Sequence, residues 1–518
     1  MSRPLFVVLA ILLLPLASGA ADEKGDETVK AKTAEYEVRR ELVEELESVT
    51  QHRITIEGVQ IRYTAKAGNL VLREEDGKPK GSIFFVAYTR DDVDDLSSRP
   101  LTFSFNGGPG SASLWVHLGA FGPKKTELDA EGFPAGPPPG RLVDNPYSVL
   151  DFSDLVFIDP VATGFSRAAP GVEAADFHGF QNDIESVGEF IRLYLTRNGR
   201  WSSPKFLAGE SYGTTRSAGL AGYLQNSLGT YFNGIALISS VLNWQTLIPS
   251  DGNDLPYIGF LPSYTATAWY HGRLSERLSG DLQATLAEVE EFSRGEYATA
   301  LMMGRDLAPE TRAEVVGKLA EYTGLTAEYI EQTNLRVHPR RFFKELLRDE
   351  RKTTGRLDSR FTGRDRDAAG ENYEFDPAGA VMDAYFVSLL LDYLRQDLKL
   401  ESDLPFRHLS REVRPWNYHP GTYRETWTNR FLDVSEVLRE AMNRNPRLQV
   451  LVMSGYYDLA TPYFASDFTI DHMALEPEVA DNIWAAYYEA GHMMYIRDAD
   501  HRKFRDDFRD LVQRATRP

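Results

Sequence analysis

Short apolar runs that do not alternate with polar residues are the strongest constraint in this chain. Leu101–Phe105, Asp154–Ile158, Phe206–Ala208, Gly234–Ser239, Gln449–Met453 and Ile483–Tyr488 are each separated from the next by loops and helical patterns. A strand with one face in water alternates; a strand covered on both faces has no polar side to show. Strands of this kind, joined through helices, form a parallel sheet with helices on both faces. Phe180–Arg197 and Thr214–Asn226 carry the helical spacing expected of the crossovers. The fold class is therefore α/β, with a mostly parallel central sheet.

The ends of the chain differ from this pattern. Leu42, Val43 and Leu46 sit at helical spacing, so Thr33–Val49 reads as a charged helix. Alternating segments follow at Ile54–Tyr63, Gly68–Arg73 and Ser82–Tyr88, the last two joined by the turn residues Glu75-Asp76-Gly77-Lys78-Pro79. Antiparallel strands thus precede the parallel ones. From about Leu242 to Arg430 strand patterns are scarce. Leu274, Leu278, Leu282, Leu286, Val289 and Phe292 read as one amphipathic helix. Pro309 can open another and Gly324 close it, and Arg341–Glu350 and Gly379–Leu398 add more. The expected organisation is a core over 21–241, a helical cap insertion over 242–430, and a resumed core over 431–518.

Residues 1–20 have the layout of a secretory signal: Arg3, the apolar run Leu5–Leu16, then the small residues Ser18-Gly19-Ala20. The run is short for a bilayer span, which takes about 20 apolar residues. The mature chain is expected to begin near Ala21, in the periplasm or outside a bacterial cell, with no stable membrane association after cleavage. The 518 residues include no cysteine, so disulfides, thiolate metal sites and a cysteine nucleophile are excluded. A formal net charge of −19 opposes nucleic acid and anionic membrane surfaces as partners. With no HExxH and no clustered His and acidic ligands, no metal or cofactor is expected.

Gly209-Glu210-Ser211-Tyr212-Gly213 stands between the run Phe206–Ala208 and a helix. Gly-x-Ser-x-Gly at a strand-to-helix turn describes a nucleophile elbow, in which small residues two before and two after the serine avoid clashes. Ser211 as a plain helix N-cap is the alternative. A serine nucleophile needs a base, and the base needs a group that fixes its tautomer. Asp458 follows one strand, in Ser454-Gly455-Tyr456-Tyr457-Asp458, and His492 follows the next, in Glu489-Ala490-Gly491-His492-Met493. Both would project from the carboxyl ends of strands, where open α/β sheets place their sites. Asp458 as a turn-capping residue is the other reading of that position. Asn106-Gly107-Gly108-Pro109-Gly110 follows Leu101–Phe105, and its glycines let backbone N–H groups approach a reacting carbonyl oxygen.

Taken together, Asn106–Gly110, Gly209–Gly213, Gly455–Asp458 and Gly491–Met493, with Asp159–Ser166 between them, resemble the serine carboxypeptidases of peptidase family S10. The similarity runs in order from about Leu101 to Met494. It implies an α/β-hydrolase fold with a helical cap, and removal of C-terminal residues from peptides or proteins. By motif, it implies Ser211 as nucleophile, His492 as general base and Asp458 as its orienter. Gly108 and Tyr212 would give the oxyanion-hole N–H groups. Asn106, Gly107 and Glu210, with Met493 nearby, would bind the substrate's terminal carboxylate. Glu210 can donate to a carboxylate only while protonated, so that role requires a raised pKa. Trp115, Tyr212, Tyr456, Tyr457 and Met493 are candidates to line the cleft. The chain departs from the family at Ser104 for a Trp, Ser111 for a Cys, Ala120 for a Glu that pairs with the Glu210 equivalent, and Tyr456 for an acid. Two other readings stay open: an esterase or acyltransferase with the same triad, and a non-catalytic binding protein on the same fold.

Overall fold

The computed structural model describes residues 43–418 and 431–517. The expected signal segment and residues 33–42 of the expected N-terminal helix lie outside the described residues. The remainder of that helix is not formed: Glu47–Ile56 is a strand, β1. Strand pairing decides it: β1 lies along β2 (Val59–Arg73) in antiparallel register from Glu47 opposite Gly68 to Ile56 opposite Val59. The expected strand Ile54–Tyr63 is thus two strands. Glu57-Gly58 turns the chain there with both residues at positive φ, the two-residue hairpin geometry that matches strand twist. Strand β3 (Pro79–Arg90) follows across the expected turn, where Gly77 N–H donates to Glu74 O at 2.9 Å.

Next in chain order come β4 (Leu101–Phe105), β5 (Asp154–Ile158), β6 (Lys205–Glu210), β7 (Gly234–Ile238), β8 (Gln449–Gly455) and β9 (Ile483–Tyr488). They form one 10-stranded sheet in the order β1-β2-β3-β5-β4-β6-β7-β8-β9, with Arg167–Ala168 added beside β3. From β5 to β9 every neighbouring pair is parallel. Side chains alternate between two cores. Val156, Ile158, Leu207, Leu237 and Val452 face the helices Phe180–Arg197, Tyr212–Leu228 and Ser435–Arg444. Leu155, Phe157, Phe206, Ile238 and Met453 face Pro377–Gln396 and Asp498–Ala515 on the other side. Burial on both faces explains why these strands read as unbroken apolar runs.

Between β7 and β8 the described strands are the two-residue pair Thr353–Thr354 and Thr362–Gly363, and helices dominate with a core of their own. The long amphipathic helix expected from Leu274 begins only at Leu282, where Asp281 accepts from Ala284 N–H at 3.2 Å. Leu274 and Leu278 still pack on that core, Leu278 buried, from turns. Leu255–Tyr270 is a helix that the sequence reading left out. Pro256 in its first turn suits a helix start, whereas Pro262 inside argues against helix locally, but Phe260, Leu261 and Tyr264 are buried and tertiary packing wins. Pro309–Thr323 begins and ends as expected, with Gly324 left-handed at its C-terminus.

Candidate active site

The sheet ends bring the predicted residues to one edge. Ser211 sits between β6 and helix Tyr212–Leu228 at φ 61° and ψ −127°, a strained conformation for a residue with a side chain. Its N–H donates to Ile238 O at 2.9 Å, which fixes the turn against the end of β7. A methyl group on Gly209 would strike the Gly213 backbone, and one on Gly107 would strike Tyr212 N. The glycine loop therefore lies directly on the elbow. Ser211 keeps partial exposure while its neighbours are buried.

Asp458 and His492 follow β8 and β9 and meet there. His492 Nδ1 and Asp458 Oδ2 are 2.7 Å apart, both side chains buried. The carboxylate also accepts from Ala460 N–H at 2.7 Å, Thr461 N–H at 3.0 Å and Thr461 Oγ1 at 2.7 Å. An imidazole bonded in this way presents Nε2 as its free nitrogen. Burial opposes charging of the ring, but the Asp458 charge and hydrogen bond outweigh it and the His492 pKa lies above its ordinary value. The loop is joined to the end of β7 through Ser239 Oγ, which donates to His492 O at 2.7 Å. No hydrogen bond closes between Ser211 Oγ and His492; such contacts are often open before substrate binds.

Beside the serine, Glu210 is 4% exposed. Asn106 Nδ2 donates to its Oε1 at 2.7 Å and Tyr495 O–H to its Oε2 at 2.5 Å. Burial pushes its pKa up to about 7, against the opposing pull of His492 and these two donors. Asn106 is oriented in turn by Trp115 N–H and Val116 N–H, each 3.1 Å from Oδ1. Gly108, at φ 101°, is exposed with its N–H unbonded among the described residues. Tyr212 N–H lies in the first helical turn, where backbone donors lack intrahelical acceptors.

Most of the aromatic candidates are packed into the fold, although Tyr456 lines a cavity with Glu290 and Tyr463. The Tyr212 ring is wholly buried against Trp244 and Trp416, under the Arg216 guanidinium. Tyr456 stacks on Tyr487, Tyr457 packs on Tyr270, and Met493 is 3% exposed. Trp115 alone of the five is half-buried. Tyr495 was missed by sequence reasoning, as was Thr461. Nothing marks Tyr495 as polar-active in the chain, but the room it fills is legible afterwards: a Cβ on Gly119 would run into its ring, next to the small Ala120. Ser104 is buried at the end of β4, its Oγ donating to Ala208 O at 3.1 Å.

The model of the family described as serine carboxypeptidase matches residues 60–502. The chain belongs to the serine carboxypeptidase family. A relative from Saccharomyces cerevisiae, the pheromone-processing carboxypeptidase KEX1, is 33% identical over 135 residues, 25% of this chain and 17% of the yeast protein. The serine carboxypeptidase ctsa-3.1 of Caenorhabditis elegans is 25% identical over 221 residues, 39% of this chain and 33% of that one. These alignments therefore span a third or less of each relative. The crystal structure of KEX1(delta)p, a prohormone-processing carboxypeptidase from Saccharomyces cerevisiae, matches with a TM-score of 0.54 and 16% identity, over 87% of this chain and 91% of that one. The shared architecture is the α/β-hydrolase fold. Among the described residues no helix is long and apolar enough to cross a membrane.

Proposed function

We propose that this family member is an exported serine carboxypeptidase that cleaves the last peptide bond of peptides or proteins. The observation that carries the reading is the 2.7 Å Asp458–His492 pair at the same sheet edge as the strained Ser211 elbow. In the proposed cycle His492 Nε2 takes the Ser211 hydroxyl proton while Oγ attacks the carbonyl carbon of the terminal peptide bond. The negative charge that develops on the carbonyl oxygen is met by Gly108 and Tyr212 N–H groups. His492 then gives its proton to the leaving amine as the C–N bond breaks. Water attacks the resulting ester by the same route and returns the hydroxyl to Ser211. Asn106, Gly107 and protonated Glu210 would hold the terminal carboxylate, with Met493 beside them. The tripartite N-terminus supports export.

A broader esterase or amidase reading is favoured by one observation: Asn106 and Tyr495 already engage both Glu210 oxygens, where Ser104 and Ala120 replace the family's usual Trp and Glu. An N-blocked dipeptide and its C-terminal amide, offered to the enzyme and to Ser211→Ala, separate the readings. Release of the last residue from the free acid, little from the amide and none by Ser211→Ala is the expected result. Preferred cleavage of the amide would move the function to the broader class. No cleavage, together with no Ser211-dependent labelling by a fluorophosphonate probe, would leave a binding protein on this fold.

A further inference from the structure

Residues 356–360 belong to the stretch of chain between β7 and β8, far in sequence from both Asp458 and His492, yet their backbone lies against both of the loops that carry them. Leu459 N–H donates to Arg356 O and Ser359 N–H to Tyr457 O, each at 3.0 Å, so the segment is bonded on either side of Asp458. His492 N–H donates to Leu357 O at 2.6 Å, and Gly491 N–H to Asp358 Oδ2 at 3.1 Å. The fit leaves no slack: a Cβ on Gly491 would lie 2.5 Å from both Cα and Cβ of Asp358.

The segment is itself braced. Asp376, at the start of helix Pro377–Gln396, accepts from Arg356 N–H and Leu357 N–H at 3.0 Å each. Arg360 grips Asp358 through Nη2 to Oδ2 at 2.6 Å and Nε to Oδ1 at 2.9 Å, with both side chains 1% exposed. The rings of Phe133 and Tyr457 lie near the guanidinium. Each carboxylate oxygen has two lone pairs, so Oδ2 can accept from Arg360 Nη2 and from the Gly491 N–H together. A buried pair of this kind adds little net stability over an apolar filling, and fixes geometry instead.

We propose that residues 356–360 are a positioning strap for the catalytic pair, and that Asp358, held by Arg360, sets where the His492 loop stands relative to Ser211. The strap rests on the reading of Ser211, His492 and Asp458 as a triad. Strand ends fix only the roots of the two loops. The distance from His492 Nε2 to Ser211 Oγ depends on the loop above β9, and that loop is tied through its own backbone N–H groups to the strap. Misplacement of a reacting group by about 1 Å costs about 100-fold in rate. Loss of the strap therefore acts on turnover and leaves substrate binding in place.

The test compares the wild type with Ser211→Ala, Asp358→Asn, Gly491→Ala and the Asp358→Asn/Gly491→Ala double variant. All are assayed on an N-blocked dipeptide at a temperature where each retains native circular dichroism. Expected is a fall in kcat of about 10- to 100-fold for each single variant, KM within about twofold, and fluorophosphonate labelling of Ser211 slowed in parallel. The double variant should be no slower than the slower single, because both changes break one contact. Wild-type kcat in folded Asp358→Asn, a change confined to KM, or multiplicative effects in the double variant would each overturn the strap. Should Asp358→Asn not fold, Gly491→Ala decides alone by the same split of kcat from KM. Activity surviving in Ser211→Ala would instead strike the triad reading, which keeps the two failures apart.

Discussion

Around His492 the site is built mainly from backbone, and around Glu210 it is built from side chains. Asp458 receives two backbone N–H groups, the Thr461 hydroxyl and the imidazole, and the His492 backbone is bonded on both its N–H and C=O. Glu210 receives one amide and one phenol, and burial decides its protonation near pH 7. Backbone donors persist whatever residues surround them, whereas side-chain donors can be exchanged. The departures from the family that bear on recognition, at Ser104 and Ala120, fall on the Glu210 side. On the triad side the departure is Tyr456, and Ser211, Asp458 and His492 themselves are kept. On the proposed function, the departures from the family pattern at Ser104 and Ala120 bear on recognition of the chain end and leave those three residues in place.

The most damaging way to break the contrast is Asp458→Asn. The amide cannot satisfy all four donors and forces the wrong tautomer on His492, so kcat should fall by about 10⁴-fold with the fold intact. A decrease below tenfold, measured by peptide release in steady state, would mean that Asp458 only caps its turn. That was the other reading of the residue.

Glu210→Gln addresses the second region. In the wild type, kcat/KM for a free-acid dipeptide should decline above about pH 7 by about tenfold per pH unit, as Glu210 loses the proton it donates. The glutamine keeps a donor at every pH, so its profile should lose that fall while dropping several-fold at pH 5 to 6. Stability gives an independent reading. Glu210 has a folded pKa near 7 against an ordinary 4.5, so the unfolded chain binds fewer protons between those values and stability drops as pH rises through them. The total is roughly 3 kcal/mol. Melting temperatures of Glu210→Gln should lack that part of the slope; an unchanged slope would show that another group carries it.

How much of this could be read from the chain follows the same division. Leu101–Phe105, Asp154–Ile158 and Phe180–Arg197 form as the patterns indicate, because burial on both faces and a helical period are local signals. Ser211, Asp458 and His492 could be placed because each follows a strand of the same parallel run. The failures are tertiary. Glu47–Val49 pairs with β2 although its helical spacing says otherwise. Leu255–Tyr270 is helical in spite of the internal Pro262. Leu278 obeys the apolar period without being helical. Tyr495 and Asp358 have no local mark at all, since each acquires its partner, Glu210 or Gly491, only through the fold.

Tyr495→Phe is the finest probe of the contrast, and the smallest effect expected. The phenol donates to Glu210 Oε2 and so favours the ionised carboxyl, against the burial that favours the neutral one. Removing the hydroxyl leaves burial and subtracts a donor, and the Glu210 pKa must rise further. A hydrogen bond to a charged group contributes about 1.5 kcal/mol, close to one pH unit. The free-acid profile should therefore keep its shape and move up by about one unit, with kcat/KM below pH 6 changed by less than about threefold. In the Glu210→Gln background the same substitution should produce no pH shift, because the group it acts through no longer titrates. A downward shift would mean that Tyr495 stabilises the protonated acid by accepting a hydrogen bond from its O–H. The chain end would then be recognised by a phenol–carboxyl pair doing the work of the two carboxyls found elsewhere in the family.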